Sequence, residues 1–125
     1  MEAKSSFLGL RTVIYGVNDI EKAKKWYESA LNIKPYFDEP YYVGFTVGGF
    51  ELGLDPNAKP IGNISAGVVA YWRVLDIDVV FEKLISLGAT EYEKPHDVGE
   101  GIKVATVVDP FSNILGLIYN PNFKM

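Results

Sequence analysis

The sequence predicts an α+β fold of two tandem βαβββ modules, which together form a curved mixed sheet around a concave cleft. Three observations carry that expectation. Leu-Gly-Leu occurs twice, at Leu52-Gly53-Leu54 and at Leu115-Gly116-Leu117, each time near the end of a strand-like apolar run. Val17-Asn18-Asp19-Ile20 is echoed by Val74-Leu75-Asp76-Ile77, where an alternating pattern gives way to a helical one. The first pair lies 63 residues apart and the second 57, so one insertion, 63 less 57, brings the two halves into register.

The elements follow in order. Phe7–Val17 is rich in β-branched and aromatic residues and reads as a strand. Asn18 to Asn32 reads as a helix, with Ile20, Ala23, Trp26, Tyr27, Ala30 and Leu31 on one face and Lys22, Lys25 and Glu28 on the other. Asn18 followed by Glu21 resembles a capping box, which makes Asn18 the expected cap. Three short strands are expected at Pro35–Phe37, Tyr41–Val47 and Phe50–Leu54, with Asp38, Pro40, Gly48 and Gly49 marking turns. A polar link over Gly62–Ser65 precedes the restart. Residues 66–74 then read as a strand, and residues 75–88 as a helix stopped by Gly88. Residues 89–94, 101–108 and 113–119 read as three more strands. The inserted residues are expected in a lengthened loop over residues 94–101, which carries His96. All of this fits one domain over residues 1–125, with modules at about 8–57 and 66–120.

Composition narrows the function classes. A chain of 125 residues that is 48% hydrophobic and 22% charged buries a core of its own. With no cysteine, disulfides and thiolate chemistry are excluded. A net charge of −4 and the absence of any basic run speak against nucleic acid as a partner. No apolar stretch approaches a membrane span, so no membrane partner is expected and the expected location is the cytoplasm.

Side chains alternate along a strand, so each strand has two rows. Val13, Tyr15 and Val17 form the helix-facing row of the first strand, and Ala70, Trp72 and Val74 are their equivalents 57 residues on. Thr12 and Ile14 form the other row, matched by Val69, Tyr71 and Arg73 being on the corresponding row of the second module. In the closing strands Leu52, Leu54, Leu115 and Leu117 face the helices, which leaves Glu51, Gly53, Ile114 and Gly116 on the concave side. Glycine there either enlarges a hollow or relieves a bend.

The segments "TVIYGVNDIEKAKKWYESALN", "AYWRVLDIDVVFEKLISLGA" and "VVDPFSNILGLIY" resemble the vicinal oxygen chelate superfamily, which includes glyoxalase I, extradiol dioxygenases, and fosfomycin- and bleomycin-resistance proteins. The last segment is close to the family's Asp-Pro-x-Gly-Asn ending, with Ser112 where glycine is usual. The likeness covers about residues 8–120. It implies a glyoxalase-like fold, frequently paired as a homodimer, and in many members a metal held by His or Glu on the first and last strands of each module. Carried onto this chain, those positions fall on Thr12 and Val69, and on Gly53 and Gly116, with Glu51 as the alternative to Gly53. Valine and glycine have no side-chain donor, so no metal and no other cofactor is expected.

The resemblance and the residues together lead to a metal-independent small-molecule binding protein of the bleomycin-resistance-like type. Its ligand-binding residues are expected to be Thr12, Ile14, Tyr36, Tyr42, Gly53, Val69, Tyr71, Arg73 and Gly116. Flat aromatic rings from "PYFDEPYY" suit a planar guest. Arg73 is placed to bind a carboxylate or to pair with Glu51. One alternative is a glyoxalase-like lyase or isomerase, in which Glu51 has a raised pKa and acts as the base together with Tyr71 or Arg73; His96 is a separate candidate proton shuttle if its loop folds inward. The other is a non-catalytic protein acting through its dimer surface. Trp26, Tyr27, Trp72 and Phe81 read as packing between helix and sheet, and Asp109 to Asn113 as a turn.

Overall fold

The computed structural model describes residues 5–58 and 67–122. The element order is β1 (Thr12–Gly16), α1 (Ile20–Leu31), β2 (Phe37–Glu39), β3 (Tyr42–Val47) and β4 (Phe50–Asp55), then β5 (Tyr71–Arg73), α2 (Ile77–Ser86), β6 (Thr90–Asp97), β7 (Lys103–Val108) and β8 (Ile114–Tyr119). This is βαβββ twice. Each module makes its own four-stranded mixed sheet, ordered β1-β4-β3-β2 and β5-β8-β7-β6. The curved mixed sheet expected from sequence is built as two four-stranded sheets, whose edge strands β1 and β5 share no ladder and touch through the Tyr15 and Trp72 side chains. In each module the first strand runs parallel to the last, and the remaining neighbours are antiparallel.

The first helix starts one residue later than a cap at Asn18 predicts. Asp19 caps α1, with extended backbone and a side chain that accepts the Lys22 N–H at 3.1 Å; Asp76 does the same for Val79 N–H in α2 at 3.2 Å. An acceptor at that position satisfies one of the amide donors that a helix leaves open. The expected rows are seen. Ala23 and Tyr27 of α1, Ile77, Phe81 and Leu84 of α2, and Leu52, Leu54, Leu115 and Leu117 all enter one core. Each of these large aliphatic and aromatic side chains stabilises the fold by roughly 1.5–3 kcal/mol when fully buried.

Side-chain hydrogen bonds among the described residues cross between modules. Trp72 Nε1 donates to the Tyr15 hydroxyl at 3.0 Å, and Trp26 Nε1 to the Leu87 carbonyl at 2.8 Å. Tyr27 donates to Asp109 at 2.5 Å, and Asn113 Nδ2 to the Gly16 carbonyl at 2.9 Å. Asp109 is buried, and its Oδ1 also accepts the N–H groups of Phe111 and Asn113, both at 2.8 Å, which closes the expected turn. Ser112, inside that turn, has φ +71°, a left-handed conformation that glycine adopts more readily.

Several boundaries differ from expectation. β1 is shorter than Phe7–Val17, because its pairing with β4 begins at Thr12 opposite Glu51; Phe7 and Leu8 are 87% and 98% exposed. β2 begins at Phe37, leaving Tyr36 just outside the strand, tied by its N–H to the Gly44 carbonyl at 2.9 Å. β5 is limited to Tyr71–Arg73. The lengthened loop at 94–101 is a correction: β6 continues through His96 to Asp97, paired with β7 across two register shifts, and the turn occupies only the residues beyond. The link at 62–65 lies outside the described residues. Among those residues no helix is long and apolar enough to cross a membrane.

Candidate functional site

The strand register decides which side chains meet on the non-helical face of the first module. Thr12 is opposite Glu51, Ile14 is opposite Gly53, and Gly44 is opposite Gly53 on the other side. The first-strand position Thr12 therefore pairs with Glu51, not with Gly53. Thr12 donates its hydroxyl to Glu51 Oε1 at 2.6 Å, Tyr42 donates to the same oxygen at 2.8 Å, and Tyr36 donates to Oε2. Three hydroxyls thus converge on one carboxylate that is only 9% exposed.

Glycines make that convergence fit. A Cβ on Gly53 would collide with the Tyr42 hydroxyl and ring, and a Cβ on Gly44 would lie 2.6 Å from Glu51 Oε2 and 2.9 Å from the Tyr36 ring. The space over Gly53 is therefore occupied by a tyrosine of its own module, contrary to the expectation that this glycine opens a hollow. Module two repeats the device from another strand: a Cβ on Gly116 would lie 2.6 Å from the Ala70 carbonyl oxygen and 2.7 Å from the Tyr71 ring. Strand glycine here accepts a close neighbour instead of making a void.

The environment of Glu51 sets its charge. Burial pushes its carboxyl up, but the hydrogen bonds from Thr12, Tyr36 and Tyr42 together with the charge of Arg11 outweigh it, leaving the group below the usual carboxylate range. This corrects the expected raised pKa, because that expectation counted the apolar surroundings and not the hydroxyl donors. The cover over Glu51 is local, made by the rings directly above it and not by depth in the protein. In turn, desolvation and the bond to Glu51 push Tyr42 up to about 12.

A separate cavity of about 490 Å³ lies where the modules meet. Val13 and Phe50 from the first module line it, together with Tyr71, Trp72, Arg73 and Asn120 from the second. Its wall is mainly apolar, and its volume falls in the range of small-molecule sites. Tyr71 and Arg73 are thus expected residues that the structure brings to this cavity. Thr12, Tyr36 and Tyr42 are brought together with Glu51 instead. Ile14 is 48% exposed and Val69 39%, both on the open face, while Gly53 and Gly116 lie beneath tyrosine rings.

His96 is exposed on β6, with Nδ1 2.7 Å from the Lys94 carbonyl, and does not line the cavity. Val13, Phe50 and Asn120 were not anticipated as lining residues. Trp72 was read only as packing, although its position 57 residues after Tyr15 was the available signal that it sits where the modules touch.

Comparison with known proteins places this geometry among relatives. A family model described as the Glyoxalase/Bleomycin resistance protein/Dioxygenase superfamily matches residues 9–117. A glyoxalase/bleomycin resistance protein from Albidiferax ferrireducens T118 is similar in structure, with 24% identity, a TM-score of 0.71, and coverage of 90% of this chain and 98% of that one. A glyoxalase-related enzyme from Fulvimarina pelagi is similar at 18% identity and TM-score 0.73, covering 95% of this chain and 93% of that one. A glyoxalase/bleomycin resistance protein/dioxygenase family enzyme from Burkholderia phytofirmans PsJN gives 16% identity and TM-score 0.71, with coverage of 86% and 95%. At these identities the solved structures share the fold. No curated protein matches.

Proposed function

The chain belongs to the Glyoxalase/Bleomycin resistance protein/Dioxygenase superfamily, and from that premise we propose that it is a metal-independent small-molecule binding protein whose guest sits in the cavity between its two modules. The observation that carries this reading is the cavity itself, an apolar hollow of about 490 Å³ bordered by Phe50, Tyr71 and Trp72. Rings of this kind hold a flat organic body with little loss of side-chain freedom.

Metal independence is supported by the donor set. The positions that the resemblance assigns to metal ligands carry Thr12 and Gly53, or Glu51 in its place, in one module, and Val69 and Gly116 in the other, Ile114 being the repeat counterpart of Glu51. The Glu51 oxygens already accept hydrogen bonds from three hydroxyls, and valine, isoleucine and glycine have no side-chain donor. Among the described residues no three His, Asp or Glu side chains come together to hold an ion. These residues do not fit a divalent transition metal, and no step is derived through one.

The acid–base alternative is weaker for a related reason. A carboxylate held below its usual range is a poorer base at neutral pH than a free one. Assembly as a homodimer belongs to the same proposal, and light scattering reads it directly.

The test is thermal denaturation with and without flat aromatic compounds, paired with metal analysis of dialysed protein. A guest that binds only the folded state raises the melting temperature, by about 2.7 kcal/mol of added stability at 100 times its Kd. We expect such a shift and substoichiometric metal. One transition-metal ion retained per chain, lost on Glu51→Ala, overturns metal independence; the absence of any shift across the compounds overturns the binding role.

A further inference from the structure

We propose that Tyr71 selects the guest of the inter-module cavity, and that the guest is a flat ring body bearing a carbonyl oxygen that accepts a hydrogen bond from the Tyr71 hydroxyl. This rests on reading the cavity as a ligand site and adds the chemical group that the guest carries.

The two modules put one device to different ends. Ile14 pairs with Gly53 in the first, and Tyr71 with Gly116 at the equivalent register in the second. Each glycine has a tyrosine ring laid over it, Tyr42 on Gly53 and Tyr71 on Gly116. In the first module the hydroxyl is committed, because Tyr42 donates to Glu51 Oε1 at 2.8 Å. The repeat counterpart of Glu51 is Ile114, which has no side-chain acceptor. The Tyr71 hydroxyl makes no hydrogen bond to any described residue.

Tyr71 is also held ready. It lines the cavity and is 43% exposed, so a guest can reach it. Its ring lies against the Gly116 backbone, where an added Cβ would stand 2.7 Å from Cδ1 and 3.0 Å from Cγ. A side chain whose position is already set loses little freedom on binding. Asn120 shares the wall, and its Oδ1 already accepts the Asn122 N–H at 2.8 Å, so its NH2 is a second donor there. Donors on the wall call for an oxygen on the guest. A guest without one strips the hydroxyl of its hydration and returns no bond, which selects against it.

The test is equilibrium dialysis with two probes of one shape, 2-acetylnaphthalene and 2-isopropenylnaphthalene, in which a methylene group replaces the carbonyl oxygen. Tyr71→Phe keeps the ring and removes only the hydroxyl. The preference for the ketone over the alkene, read as the ratio of their Kd values, is expected to fall about fivefold from wild type to Tyr71→Phe. Circular dichroism checks the fold; should Tyr71→Phe not fold, Tyr71→Leu carries the same comparison. A ratio that does not change overturns the role of Tyr71 and leaves the cavity reading standing. If neither probe binds wild-type protein, the cavity reading falls and this proposal with it.

Discussion

The Thr12 hydroxyl meets the Glu51 carboxylate at 2.6 Å across the parallel pairing of β1 with β4. The two residues stand on the first and last strands of the first module and bond to each other across that pairing. The hydroxyls of Thr12, Tyr36 and Tyr42 all donate to that carboxylate, which accepts three hydrogen bonds.

This arrangement makes stability depend on pH in a defined sense. The folded-state pKa of Glu51 lies below its ordinary value, so the carboxylate stabilises the fold above the unfolded pKa of about 4.5, and that stabilisation fades as pH falls through the folded value. Glu51→Gln is expected to lose about 1–3 kcal/mol at pH 7. Melting curves of variant and wild type should then converge on acidification below pH 4.5. A gap that stays constant down to pH 2 would assign the loss to packing instead of charge.

The tyrosine over Gly53 makes a double-mutant cycle decisive. Gly53→Ala pushes its methyl into the Tyr42 ring and is expected to destabilise by about 1–3 kcal/mol. In a Tyr42→Ala background most of that penalty should vanish, because the obstructing ring is gone. At Gly116 the Ala70 carbonyl is part of the clash, so removing the Tyr71 ring should recover less. Equal recovery at both sites would contradict the assigned contacts.

Ser112 offers a gain. Its φ of +71° strains any residue with a Cβ, and glycine is usual at this place in the relatives the segment resembles. Ser112→Gly is expected to stabilise by about 0.5–1 kcal/mol, after allowing for the greater freedom glycine has when unfolded. Chemical denaturation with an unchanged slope and a higher midpoint checks it.

Trp72→Phe removes the donor to Tyr15 while keeping most of the ring. The loss of one part-buried hydrogen bond should lower stability by about 1 kcal/mol, or roughly 3–6 °C in melting temperature. Tyr15→Phe, leaving the indole without its acceptor, should lose a similar amount, and the double variant should lose less than the sum.

Periodicity made the element order and the buried rows legible. Tyr15, Leu52, Leu115 and Phe81 all face the core because strand and helix spacing leave little choice. What depends on pairing between distant strands was not legible. Whether Glu51 or Gly53 meets Thr12 turns on a register that two residues sharing a face cannot reveal. The tyrosines over Gly53 and Gly116 come from different strands in the two modules, so the repeat does not give them away. The repeat offset places the inserted residues in a loop around His96, yet ladder pairing with β7 extends β6 through Pro95, as an edge strand permits.

Tyr15 and Trp72 stand 57 residues apart, the same interval that relates the two strand-to-helix junctions, so they are equivalent positions touching each other at an approximate two-fold axis. Had two separate identical modules met there, the axis would have held the same residue twice, and a pair of indoles has two donors and no acceptor. In this chain the two positions differ, one a donor and the other an acceptor. The halves are complements at this point: a chain carrying the second module twice would set two indole donors together and lose this bond.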